Sequence, residues 1–189
     1  IAANHYSYAC AWTWITEFTG KKGEEIDIVK IDALSKEMGI DLHSLFKGFV
    51  YDRYFSVMQP AVKAACPNHM YLGTRADTPT KDKEGFLRAI GVYADVMTTN
   101  LYGDQKYAEI DSVIEKIYQY SGLPFIVSEF GMRALDSVDM NGYKLGNYGD
   151  TACWLFETQQ QRADSYESYV INLLESNNCA GWVLYRFRD

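Results

Sequence analysis

At 189 residues, 48% hydrophobic and 23% charged, the chain has the size and composition of one folded domain with a sizeable core, which excludes intrinsic disorder. A formal charge of −7 and a pI near 5.0, with Lys and Arg dispersed, exclude a basic nucleic-acid surface. No run approaches the roughly eighteen apolar residues of a membrane span.

In chain order, residues 1–20 are aromatic-rich and ambiguous, and 21–25 read as an exposed charged loop. Residues 1–44 form an irregular or helical lead-in to the strand–helix units of 45–189, within a single domain. The start at Ile1, without a basic-then-apolar leader, fits a trimmed or partial chain. Residues 45–65, around FVYDRYFSVMQPAVKAA, predict a helix kinked at Pro60. HMYLGTR, residues 69–75, predicts a strand, KDKEGFLRAIGVY a helix, and ADVMTTNLYG, residues 94–103, a buried strand. AEIDSVIEKIYQYSG puts Ile110, Val113, Ile114 and Ile117 on one helical stripe, ended by Gly122 and Pro124.

FIVSEFG is the third strand. A loop of about fifteen to twenty residues follows, long enough to line an active site, with Asn141, Gly142, Gly146 and Gly149 in it. Residues 157–176 predict a helix with Ala163, Tyr166, Val170, Leu173 and Leu174 on its inner face, and GWVLYRFR is the last strand. Such alternation makes a parallel sheet. Four strand–helix units fit about half of a (β/α)8 TIM barrel better than a doubly wound sheet. No GxGxxG or GxxxxGK[ST] follows a strand, so nucleotide readings lose their support.

The stretch PFIVSEFGMRALDS places a lone carboxylate, Glu129, at the end of an apolar strand, where desolvation is costly unless the group is paired or used. The carboxyl ends of barrel strands carry catalytic groups. The plainer alternative is a Glu that caps its strand by bonding to an Arg. Arg75 can bind a sugar or orient Glu129, or it can be a structural ion-pair partner. Asn100 and Tyr102 can set an amide and a phenol beside Glu129, or belong to the core. Trp182 and Tyr185 can form a stacking platform for a sugar ring, although an inward Trp on a barrel strand is as readily core. Arg186 and Arg188 flank Phe187 and share a face.

The 15 Tyr and 4 Trp suit surfaces that stack on sugars or bases. Cys10, Cys66, Cys153 and Cys179 have no CxxC spacing, so they read mostly as buried thiols, with any pairing open. His5 and His43 lack ligand spacing, and His69 reads as structural. No metal or cofactor is expected.

The order HMYLGTR, DVMTTNLYG, PFIVSEFG, GWVLYRFRD resembles strands five to eight of the clan A retaining glycoside hydrolases. Within the clan, PNHMYLGTR, EFGMRALDS and ETQQQRADSYESYV are most similar to β-agarases and porphyranases, and the resemblance covers most of residues 51–189. It implies that Glu129 is the nucleophile, with a tyrosine such as Tyr102 keeping it ionised. It also implies a second carboxyl about 5–5.5 Å away, acting as acid and then base. Clan members carry that acid in an Asn-Glu pair after strand four, and this chain has no such pair. Glu17, in WITEFTG, lacks the preceding Asn and reads as a surface or supporting residue.

The expected activity is retaining, internal cleavage of β-glycosidic bonds in a galactan such as agar or porphyran, by a secreted or periplasmic protein, with the acid/base lying before Ile1. Cellulases, mannanases and β-galactosidases of the clan share the strand-seven Glu and stay open. So does a non-catalytic carbohydrate-binding half barrel or fragment needing a partner, because half a barrel leaves edges that favour a homodimer or a complementary half. An aldolase-like barrel would need a strand-end Lys or a metal cluster, and none of the four strand tips offers one.

Overall fold

Among the described residues, helices come first and the first strand begins at Met97. The computed structural model describes residues 5–21, 30–77, 83–102, 110–138, 141–142 and 153–185. Residues 22–25 of the charged loop, Gly146, Gly149, Arg186, Phe187 and Arg188 lie outside these.

The lead-in is helical: α1 (His5–Thr19), α2 (Ile31–Met38) and α3 (Leu42–Ala65). Ile15 of α1 and Leu42 of α3 are buried together, with Trp12, Trp14, Leu34 and Ile40 packed around them. Helix α3 starts three residues earlier than its apolar pattern suggests because Asp41 caps it. The Asp41 carboxylate accepts the Ser44 hydroxyl at 2.7 Å and the Ser44 N–H at 3.0 Å, which holds that carboxyl below its usual range. Pro60 lies inside the helix, as anticipated.

Next come α4 (Glu84–Tyr93), β1 (Met97–Asn100), α5 (Ile110–Ser121), β2 (Phe125–Phe130), β3 (Met132–Ala134), β4 (Trp154–Phe156), α6 (Gln159–Glu175) and β5 (Cys179–Leu184). The protein is mixed α/β, with a parallel sheet in the order β1-β2-β5. Phe125, Val127 and Phe130 of β2 bury completely in the main core, with Phe55 of α3, Ile90 of α4, Ile117 of α5 and Tyr169 of α6. Fully burying each such side chain contributes about 1.5–3 kcal/mol.

Four expectations need correction. Among the described residues the main sheet has three strands, since residues 69–75 do not form one. That segment runs beside β1 and touches it at a single bridge, Ala76 to Thr99. Gly73 sits at φ 68°, outside the extended region, with Ile90 Cδ1 only 2.6 Å from where a Cβ would be, so the ladder cannot continue through it. A carboxylate does part of the missing strand's work. Asp95 accepts Lys63 Nζ and the Tyr71 N–H, both at 2.7 Å, and Lys63 also donates to the His69 carbonyl at 2.9 Å. Lys63 and then the Tyr71 N–H hold the Asp95 carboxyl below its usual range. His69 is thus a structural residue through its backbone.

The loop after β2 contains β3 and β4, which pair in parallel as a second, two-stranded sheet. Three-residue strands are too short for periodicity to disclose. The buried line of α6 runs through Tyr169 and Leu173, while Ala163 is exposed and Leu174 is 67% exposed. Thr158 starts that helix through a capping box with Gln161. Finally, none of the four cysteines is in a disulfide and none is buried, Cys10 and Cys66 being exposed.

Candidate active site

Regular alternation along β2 would turn Phe125, Val127 and Glu129 to one face, and that face is the core. The structure instead buries Phe125, Val127 and Phe130, a step of two followed by a step of three. The extra residue is Ser128. On the β1 side, Thr99 and Asn100 pair with Val127 and Glu129; on the β5 side, Trp182 and Leu184 pair with Val127 and Phe130. This β-bulge swings Glu129 off the core face and brings Phe130 into it, sparing the core a carboxylate. Two adjacent polar residues in an otherwise apolar strand were the one trace of it in the sequence.

Glu129 is thereby presented at the carboxyl end of β2, its side chain 19% exposed, to three donors from two other segments. Arg75 Nη1 donates to Oε1 at 2.9 Å. Asn100 Nδ2 and the Tyr102 hydroxyl donate to Oε2 at 2.8 and 3.1 Å. All three partners are donors, the set that an ionised carboxylate, which only accepts, requires. The backbone fixes the same end: the Leu101 N–H donates to the Glu129 carbonyl at 2.9 Å and the Tyr185 N–H to the Phe130 carbonyl at 2.8 Å.

Gly131 completes the turn away from Glu129. A Cβ there would sit 2.7 Å from both Cys153 Sγ and the Tyr185 carbonyl oxygen, and 3.4 Å from the Tyr102 ring. The glycine therefore lets three segments close around the strand end, with the phenol beside the carboxylate. Neither its packing nor the Ser128 bulge was read from the sequence.

Arg75, Asn100 and Tyr102 thus meet Glu129 as the strand-tip reading expected, and the Arg ion pair of the plainer alternative is present in the same geometry. Trp182 and Tyr185 stand apart from that hydrogen-bonded set. Trp182 is half-buried, pairs in register with fully buried Val127 and packs against the main core. Tyr185 lies one residue past β5 and is exposed. Glu17 is exposed on α1, as expected of a surface residue. Among the described residues no group of three or more His, Cys, Asp or Glu is arranged to hold a metal ion, and no helix is long and apolar enough to cross a membrane.

The site is thus a donor-held carboxylate at the carboxyl end of a strand in a parallel sheet. In sequence the chain is similar to Beta-agarase A of Vibrio sp. (strain JT0107), with 30% identity over 154 residues, which covers 80% of this chain and 14% of that protein. Among solved structures, that titled "Crystal structure of BpGH50" superposes with a TM-score of 0.65 at 25% identity, covering 96% of this chain and 35% of the other. One titled "Structural analysis of an exo-beta-agarase" gives 0.53 at 25% identity, covering 76% of this chain and 17% of the other. The chain therefore spans about a seventh of the curated relative it matches. No family model matches it.

Proposed function

We propose that this chain supplies the nucleophile-bearing part of a retaining glycoside hydrolase that cleaves β-glycosidic bonds inside a galactan such as agar or porphyran. The observation that carries the reading is Glu129, displaced from the core by a bulge and held by Arg75, Asn100 and Tyr102. One oxygen of Glu129 attacks the anomeric carbon while the glycosidic oxygen leaves with a proton from a second carboxyl group. Water, deprotonated by that same group, then releases the sugar from Glu129. The second carboxyl belongs to sequence outside these 189 residues, and the strand–helix units here would form strands five to eight of a (β/α)8 barrel. In that assembly the exposed Val183, Leu184 and Tyr185 on and beside the outer strand β5 would meet the other half or a second copy. Trp182 and Tyr185 would border the sugar site. The polymer cannot enter a cell, so the enzyme would act in the periplasm or outside.

An activated 2-deoxy-2-fluoro-β-galactoside with a dinitrophenolate leaving group tests the nucleophile without needing the acid. Incubated with the chain, alone and with its flanking sequence restored, it should leave a fluorosugar on the peptide containing Glu129. A label on another residue, or none, would overturn the assignment. Proton NMR of the first sugar released from agarose by the restored polypeptide should show a retained β configuration. Because one structural neighbour is titled an exo-β-agarase, viscosity should be followed beside reducing ends: internal cleavage drops viscosity early.

A further inference from the structure

We infer that Ser128 is a positioning residue: its hydroxyl holds the Asn100 side-chain amide in the one orientation that turns its NH2 group, and not its oxygen, toward Glu129. The bulge makes this possible. Neighbours on a regular strand point to opposite faces, yet Ser128 and Glu129 both reach the same Asn100 side chain. The Ser128 hydroxyl donates to Asn100 Oδ1 at 3.1 Å, and Asn100 Nδ2 donates to Glu129 Oε2 at 2.8 Å. Asn100 is only 5% exposed, so water cannot readily replace a lost partner.

An amide rotated by half a turn would set its oxygen against the carboxylate and its NH2 against the serine. The serine hydroxyl can donate or accept, so it would tolerate that state; the carboxylate, an acceptor only, would not. Glu129 therefore selects the orientation, and Ser128, by donating to the amide oxygen at the other end, holds the side chain in it. Each narrows what the other must do, which is the cooperative behaviour of a small buried network. The extra residue in β2 thus has a second use: besides moving Glu129 off the core face, it places the hydroxyl that fixes one of the three donors.

The inference deepens the reading of Glu129 as a nucleophile but rests on it only for the effect on turnover. Its closing experiment is NMR on the 189-residue chain, following the Asn100 NH2 protons in wild type, Ser128→Ala and Ser128→Thr, with circular dichroism as the fold control. In Ser128→Ala these protons should exchange with water about five- to tenfold faster, the loss of one modest hydrogen bond. Ser128→Thr, which keeps a hydroxyl, should restore slow exchange. Unchanged exchange in Ser128→Ala would overturn the inference, whatever the fluorosugar experiment gives. Faster exchange with Glu129 unlabelled would leave the lock standing and remove the nucleophile assignment. In the restored polypeptide, Ser128→Ala should lower kcat with KM little changed.

Discussion

Two stretches of this chain read almost alike: Thr16-Glu17-Phe18-Thr19-Gly20 near the start and Ser128-Glu129-Phe130-Gly131 past the middle. Each sets a glutamate between a hydroxyl residue and a phenylalanine, with a glycine close behind. The first lies at the end of α1, where Phe18 is 47% exposed and a Cβ on Gly20 would meet nothing within 4 Å. The second ends β2, where Phe130 is fully buried and Gly131 is crowded from three sides. The two glutamates differ by what comes to them. Arg75, Asn100 and Tyr102 approach Glu129 from 54, 29 and 27 residues away. A carboxylate becomes a candidate nucleophile through tertiary neighbours and a change of parity in its strand, not through the string around it.

The sharpest way to break the comparison is to neutralise both acids in the restored polypeptide. Glu129→Gln should cut reducing-end release from agarose by about a thousandfold or more, since the amide cannot form the glycosyl-enzyme. Glu17→Gln should leave it unchanged, and similar rates for the two variants would remove Glu129 from the mechanism.

The phenylalanines should separate next. Phe130→Ala opens a cavity in the main core and should lower stability by about 3–5 kcal/mol in urea titration. Phe18→Ala loses mainly its 5.1 Å stacking on Trp14 and should cost less than about 1.5 kcal/mol.

The glycines give the smallest difference in stability and the most informative difference in activity. Gly131→Ala should cost about 1–3 kcal/mol through overpacking and should lower turnover as Tyr102 is pushed from Glu129. Gly20→Ala, strained only by its φ of 66°, should cost about 1 kcal/mol and leave turnover alone. Equal losses of activity would mean that the crowding around Gly131 does not set the phenol's place.

Long periodic elements were legible in advance. The stripe of Val113, Ile114 and Ile117, the strand around Val127 and the polar strand ends at Asn100 and Glu129 follow from alternation and composition and recur in the structure, whereas Arg75 reaches Glu129 from a segment that is not a strand. What escaped the sequence depends on single residues or distant contacts. One bulge residue decides which face Glu129 takes. Gly73 denies residues 69–75 a place as a strand, although composition favours one. The buried face of α6 is the one whose Tyr169 packs on Phe130 and Trp154, so a stripe drawn through Ala163 and Leu174 misses it. The β3–β4 pairing brings together residues far apart in sequence, and periodicity holds no information about such closures.

The Asp95 carboxylate fastens the lead-in of the segment that carries Arg75, four residues beyond Tyr71. Since Lys63 and the Tyr71 N–H keep this carboxyl below its ordinary range, the fastening is complete at neutral pH. It weakens only as pH falls through that lowered value. Acid would therefore reach the site at a distance, by unbuttoning the strap that delivers the guanidinium partner of Glu129.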